Sequence, residues 1–143
     1  HPNNLFVAGF IGSPAMNFFN AKVIKEGNKF FVDTEDFKVQ IPDNQTETYK
    51  KMEGKRVVFG IRPENIHDPE FAPHNIHGEK VSSKVDVTEL MGNETLLYLV
   101  SGKNTYVGRV DPRSHLRVGN QAQFIFDMDK FHIFDAETEQ AVR

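Results

Sequence analysis

Asp36-Phe37-Lys38-Val39-Gln40-Ile41 (36–41) alternates apolar and polar residues without a break. A period of two puts Phe37, Val39 and Ile41 on one face and Asp36, Lys38 and Gln40 on the other. That is the pattern of a half-buried β-strand. Upstream, Asp33-Thr34-Glu35-Asp36 turns into it from Phe30-Phe31-Val32, and Lys25-Glu26-Gly27-Asn28 turns into that segment from an earlier strand face of Phe19, Ala21 and Val23. Downstream, Pro42 to Gln45 is a loop and Thr46 to Met52 a short, polar surface helix stopped before Gly54. Val57, Phe59 and Ile61 give the next strand face.

Beyond Pro63 the rhythm repeats. Residues 67–80 read as a polar loop with two prolines and three histidines. Val81 to Leu90, Thr95 to Val100, Tyr106 to Val110, Gln121 to Phe126 and Phe131 to Phe134 then read as strands separated by turns. Short strands at about 8–12-residue spacing predict an all-β barrel or sandwich. The two halves resemble two small related barrels.

The amino-terminal segment reads differently. Phe6, Val7, Phe10 and Ile11 fall on one helical face, Asn3 or Asn4 can cap the start, Gly12 suits the end and Pro14 forbids continuation. A helix this apolar needs a partner. The chain also opens on His1-Pro2 without an initiator methionine. The expectation is a piece of a longer protein, with a junction helix in residues 1–14 and a β domain in residues 15–143. Phe6, Val7, Phe10 and Ile11 would then contact a preceding domain.

Composition narrows the function. The 143 residues carry 13 phenylalanines, no tryptophan, no cysteine and a net charge of −3. The absence of cysteine excludes disulfides and thiolate metal sites. The acidic balance argues against a phosphate-neutralising surface for nucleic acid. No apolar run approaches membrane-spanning length.

The candidate chemical groups are few. His67, His74 and His77 share a loop with Asp68 and Glu70, donors that suit zinc or nickel, but their spacing matches no ligand template and a solvated loop is the expectation. Glu89 and Glu94 could form a carboxylate pair for acid–base work, yet no nucleophile stands at a defined spacing, and a structural or interface role is expected. Arg109, Arg113, His115 and Arg117 gather near Tyr106, as on a nucleic-acid-binding OB barrel; a solvated or partner-facing patch is the plainer reading. Arg62 is held extended by Pro63, and Glu64 is placed to pair with it. Asn44-Gln45-Thr46 and Asn93-Glu94-Thr95 fit the N-glycosylation triplet, which needs a secretory context. The phosphate-loop, GxGxxG, GxSxG and HExxH patterns are all missing.

Five segments occur in order: FVAGFIGSPAMNF (6–18), GIRPENI (60–66), ELMGNETLLY (89–98), RVDPRSHLRVGN (109–120) and KFHIFDAETEQA (130–141). Together they resemble the C-terminal regulatory region of the ATPase subunits of carbohydrate ABC importers, the MalK/UgpC type that serves maltose, multiple sugars and glycerol-3-phosphate. The resemblance covers essentially the whole chain. It implies tandem or interleaved OB-like barrels, the TOBE/MOP-like fold, after a nucleotide-binding domain that would hold ATP and magnesium upstream. The region itself would carry no cofactor and no catalysis. It would pair with a second copy of the subunit and reach the membrane subunits through the upstream domain. In some members it receives a phosphotransferase-system protein or a transcription regulator. The place would be cytoplasmic, peripheral to the inner face of the cell membrane. By position, the family's contact regions fall on Glu89, Gly92, Glu94, Ser101 and Phe134, with Phe134 expected as an exposed anchor. Alternatives are an OB module for single-stranded nucleic acid and a barrel that binds a small oxyanion.

Overall fold

The computed structural model describes residues 3–5 and 15–143. The helical face Phe6, Val7, Phe10 and Ile11, and most of the expected junction segment 1–14, lie outside the described residues. Leu5, just before that face, donates its backbone N–H to the Glu139 carbonyl at 3.1 Å.

Ten strands follow in order: β1 (Asn17–Glu26), β2 (Lys29–Asp33), β3 (Lys38–Ile41), β4 (Arg56–Ile61), β5 (Ile66–His67), β6 (Gly78–Met91), β7 (Glu94–Ser101), β8 (Asn104–Val110), β9 (Gln121–Asp127) and β10 (His132–Asp135). Within the described residues 15–143 a short helix, α1 (Thr46–Tyr49), is flanked by 3-10 turns at Asp43–Gln45 and Lys50–Met52. The expected surface helix is therefore one turn long, and it is tucked in on one side, where Tyr49 and Met52 are buried.

The strands form two antiparallel five-stranded sheets, ordered β10-β4-β1-β2-β3 and β5-β9-β6-β7-β8. Each sheet borrows from the other half of the chain. β10, last in sequence, pairs with β4, while β5 leaves the first half to pair with β9. The halves are thus interleaved rather than strung in tandem. The alternation read from 36–41 holds: Val39 and Ile41 are fully buried, while Lys38 is exposed.

The main core runs between the sheets. Phe19 and Phe59 from the first sheet meet Phe126 from the second, with ring centroids 6.3 and 6.4 Å from it. Tyr106 of β8 lies 5.5 Å from Phe19 and 5.4 Å from Phe126, both edge-on. Edge-to-face pairs of this kind add about 0.5–1.5 kcal/mol each beyond the area they bury. The Tyr106 hydroxyl is satisfied by Ser83 deep in this core, and burial drives its pKa far above the ordinary value.

Phe134 is corrected. It is not an exposed anchor but fully buried, filling a small second cluster with Met16 and packed by Leu5, Val58 and Ala141. Its ring stands edge-on to Phe18 at 6.1 Å. The reason is topological. β10 lies between two cores, so Ile133 faces the main one and Phe134 the small one.

Candidate functional site

β6 is 14 residues long, and its two halves differ. Up to Val85 it alternates buried and exposed; from Asp86 to Met91 every residue is exposed. The change follows from its partners. β9 pairs with β6 only from Gly78 to Lys84, whereas β7 accompanies it from Lys84 to Met91, with a bulge between Val85 and Val87. The outer half of β6 is therefore an edge strand backed by β7, and with the turn that follows it forms an exposed arm. Gly92 closes it with φ 62°, a left-handed conformation that suits glycine.

The arm gathers three of the five positions expected at an interface. Glu89 and Gly92 are exposed and Glu94 is half-buried. Glu89 accepts a hydrogen bond from the Tyr98 hydroxyl at 3.2 Å, which raises the Tyr98 pKa. Glu94 meets Arg109 at 3.3 Å, and Arg109 also meets Glu64 at 3.9 Å. The two glutamates thus serve different partners and do not share a proton as a catalytic dyad would. Ser101, a further position expected at the interface, is buried, and its hydroxyl donates to the Ser82 carbonyl at 2.9 Å.

Sequence reasoning missed the apolar side chains on this arm. Leu90 is 73% exposed, Met91 52% and Val87 47%. Beside them a groove of about 610 Å³ is bounded by Phe18, Val87, Glu89, Tyr98 and Val107. The signal was present in Glu89-Leu90-Met91-Gly92, two large apolar residues set against a turn glycine.

The other candidates are placed as follows. His77 bonds Asp129 at 2.8 Å, His67 sits half-buried on β5 with its pKa lowered by burial, and His74 is exposed. Asp68 is buried and accepts a bond from the Ser114 hydroxyl at 2.5 Å. Among the described residues no three metal-ligating side chains come together. The basic cluster is internally engaged. Arg113 forks onto Asp111 at 3.0 Å and lies 5.1 Å over Phe71, His115 meets Glu70 at 3.5 Å, and Arg117 donates to the Ser114 and Leu116 carbonyls. The Arg113 side chain, and its N–H after that, hold the Asp111 carboxyl below its usual range. Tyr106 lies inside the core and offers no stacking face. No helix among the described residues is long and apolar enough to cross a membrane.

Comparison with known proteins bears on this arrangement. Residues 12–66 match the family model of the MalK OB fold domain. Over 144 residues the chain is 41% identical to the trehalose/maltose import ATP-binding protein MalK of Thermococcus litoralis, covering 99% of this chain and 38% of that protein. It is 36% identical over 148 residues to the oligosaccharides import ATP-binding protein MsmX of Bacillus subtilis, with 99% and 38% covered. It is 40% identical over 144 residues to the multiple sugar-binding transport ATP-binding protein MsmK of Streptococcus mutans, with 99% and 37% covered. The chain thus spans a little over a third of the length of these relatives. Among solved structures, the cytoplasmic molybdate-binding protein ModG superposes with a TM-score of 0.61 at 14% identity, covering 82% of this chain and 94% of that one. At that identity the likeness speaks for the OB-type fold alone. The chain belongs to the MalK-type OB fold domains, the C-terminal part of sugar ABC importer ATP-binding proteins.

Proposed function

We propose that this chain is the non-catalytic regulatory and dimerisation domain of the ATP-binding subunit of a sugar ABC importer. The observation that carries the reading is the span of the likeness: 99% of this chain aligns within sugar-import ATP-binding proteins at 36–41% identity. The β6–β7 arm supports the dimerisation half. Leu90 and Met91 expose apolar surface at its end, beside Gly92 and Glu94. Exposed apolar side chains gathered on one element mark interaction sites more often than chance.

In this reading ATP and magnesium belong to a nucleotide-binding domain that also carries the contacts to the membrane subunits. The working place is the cytoplasmic face of the cell membrane. The domain holds two subunits together and, in some members of the group, receives a phosphotransferase-system protein or a transcription regulator.

The test is sedimentation equilibrium of the chain together with a phosphate-release assay. A concentration-dependent dimer weakened by the double substitution Leu90→Ser/Met91→Ser, without ATP turnover, is the expected result. ATP turnover that survives repurification, or a monomer at millimolar concentration, would overturn the reading.

A further inference from the structure

A β-sheet edge exposes a row of backbone donors and acceptors, and native proteins cover or blunt such edges to avoid stray pairing. This molecule covers its edges with particular groups. On β8, the Asn17 side chain donates to the Val107 carbonyl and accepts from the Val107 N–H, both at 2.9 Å. On β3, the Glu79 carboxylate accepts the Gln40 N–H at 2.7 Å. On β10, the C-terminal segment runs alongside: Val142 donates to Ile133 at 2.8 Å and Asp135 to Gln140 at 2.9 Å. β5 is only two residues long.

The outer half of β6 carries no such cap among the described residues. On the side away from β7, Val85 is covered by the 119–120 turn, with Gly119 donating to it at 2.8 Å and its own N–H going to Asn120 at 2.9 Å. From Asp86 to Met91 no described strand or side-chain cap follows. Six residues with that side open among the described residues are long enough to take a strand. One face of this edge carries Val87 and Glu89, which form one lip of the groove shared with Phe18, Tyr98 and Val107. A strand added here would place alternate side chains over that groove.

Charge selects the occupant. The arm from Asp86 to Thr95 carries Asp86, Glu89 and Glu94 and no lysine or arginine; Arg109 pairs with Glu94, which leaves Asp86 and Glu89 to set the charge of the edge. Pairing the edge with its own copy would bring Asp86 and Glu89 close to the same two residues of the other chain, and like charges across a strand pair are destabilising. The same charges attract a cationic strand. We propose that the outer edge of β6, Asp86–Met91, is a docking site for an extended segment of another protein in which basic and apolar residues alternate. This goes beyond the dimer proposed above. There the end of the arm packs against a second copy, and here its open edge adds a strand from a different protein.

The probe is the peptide acetyl-Lys-Val-Lys-Val-Lys-Val-amide, titrated into the 143-residue chain while backbone amide shifts are followed by NMR. The expected result is saturable shifts centred on Asp86–Met91. The glutamate–valine counterpart peptide should bind about tenfold or more weaker, in line with the cost of placing like charges opposite one another. The double substitution Asp86→Lys/Glu89→Lys should reverse that preference while leaving the remaining shifts, and so the fold, in place. Three results overturn the proposal: no shifts at the edge at millimolar peptide, equal binding of both peptides, or shifts at Asp86–Glu89 that grow with protein concentration alone in the Leu90→Ser/Met91→Ser variant, whose proposed dimer contact is removed. The last would show the edge pairing with its own copy, and would leave the proposed dimer standing while removing this site.

Discussion

Asn17 and Val107 bond each other twice: the Asn17 amide donates to the Val107 carbonyl and its oxygen accepts the Val107 N–H, each at 2.9 Å. The carboxamide imitates a neighbouring strand. It ties β1 of the first sheet to the edge of the second, 90 residues away in sequence. It also stands beside the groove, of which it forms part of the wall.

Removing that side chain leaves both Val107 backbone groups without these partners in a half-buried place. Asn17→Ala is expected to cost about 1–3 kcal/mol, the penalty of an unsatisfied buried polar pair. Asn17→Asp keeps an acceptor for the Val107 N–H but sets a carboxylate oxygen against the Val107 carbonyl, so it should recover only part of the loss. Urea titration followed by circular dichroism reads the difference. Equal stability of Asn17→Ala and the parent chain would show that water replaces the amide at no cost.

The turn between β7 and β8 is tied to the turn between β2 and β3 in a different way. Asp36 accepts the Lys103 N–H at 2.8 Å and the Asn104 side-chain amide at 2.9 Å. Gly102 sits against that carboxylate with φ 58°, and an added Cβ would collide with the Asp36 side chain. Gly102→Ala is therefore expected to destabilise twice, through an unfavourable left-handed backbone costing about 1–2 kcal/mol and through a displaced Asp36. Asp36→Ala in the same background should reduce the second part. If the two substitutions add without coupling, Asp36 does not feel the new methyl group.

The pattern of strands was legible because exposure in this molecule alternates wherever a strand has one core to face. Segment 36–41 and the Ala122, Phe124, Phe126 run show it plainly. The exchange of β5 and β10 between the sheets was not legible, since periodicity says which side is buried and nothing about which neighbour buries it. Phe134 was misread for the same reason. A strand between two cores buries consecutive residues, and its outer one looks like a surface aromatic. Of the site, Glu89, Gly92 and Glu94 were named from family resemblance, while the exposed Leu90 and Met91 needed the arm to be seen.

That burial changes what Phe134 should do. Phe134→Ala is expected to lower stability by about 3–5 kcal/mol, the usual loss for a buried ring cut back to a methyl group. Any effect on association would follow from the lost fold. Phe134→Leu fills more of the space and should recover most of the stability. Thermal unfolding of the two variants separates this from an interface role, in which the melting temperature would hold while the dimer weakened.

Acid should lower the stability of the chain in two stages. Burial pushes the His132 imidazole below its ordinary value of 6.5, with Arg62 adding to the effect, and burial likewise lowers His67. The folded forms stay neutral while the unfolded chain takes up protons. Stability is therefore full above about pH 6.5 and declines as the pH falls through that value. Asp129, held low first by the His77 N–H, and Asp135, held low by the Glu137 and Thr138 N–H groups, act in a later window. Their contribution is present above their unfolded value of 3.8 and is lost as the pH falls below it. His67→Gln/His132→Gln should flatten the urea midpoint between about pH 7 and 5 and leave the lower stage unchanged. A slope that persists in the double variant would assign the upper stage to other groups.

Leu90 and Met91 give the sharpest separation between folding and contact. Both are mostly exposed, at 73% and 52%, and neither belongs to either buried cluster. Exposed positions of this kind change stability by about 0.5 kcal/mol or less when substituted. If the end of the arm packs on a second copy, the same side chains become buried there, and each large apolar residue contributes about 1.5–3 kcal/mol when fully covered. Leu90→Ser/Met91→Ser should thus leave the urea midpoint of the monomer where it is and raise the dimer dissociation constant by about tenfold or more. Sedimentation and unfolding, run on the same variant, decide the matter. A fall in monomer stability with unchanged association would mean that the arm folds back on its own chain, and that its apolar end supports the barrel rather than a partner.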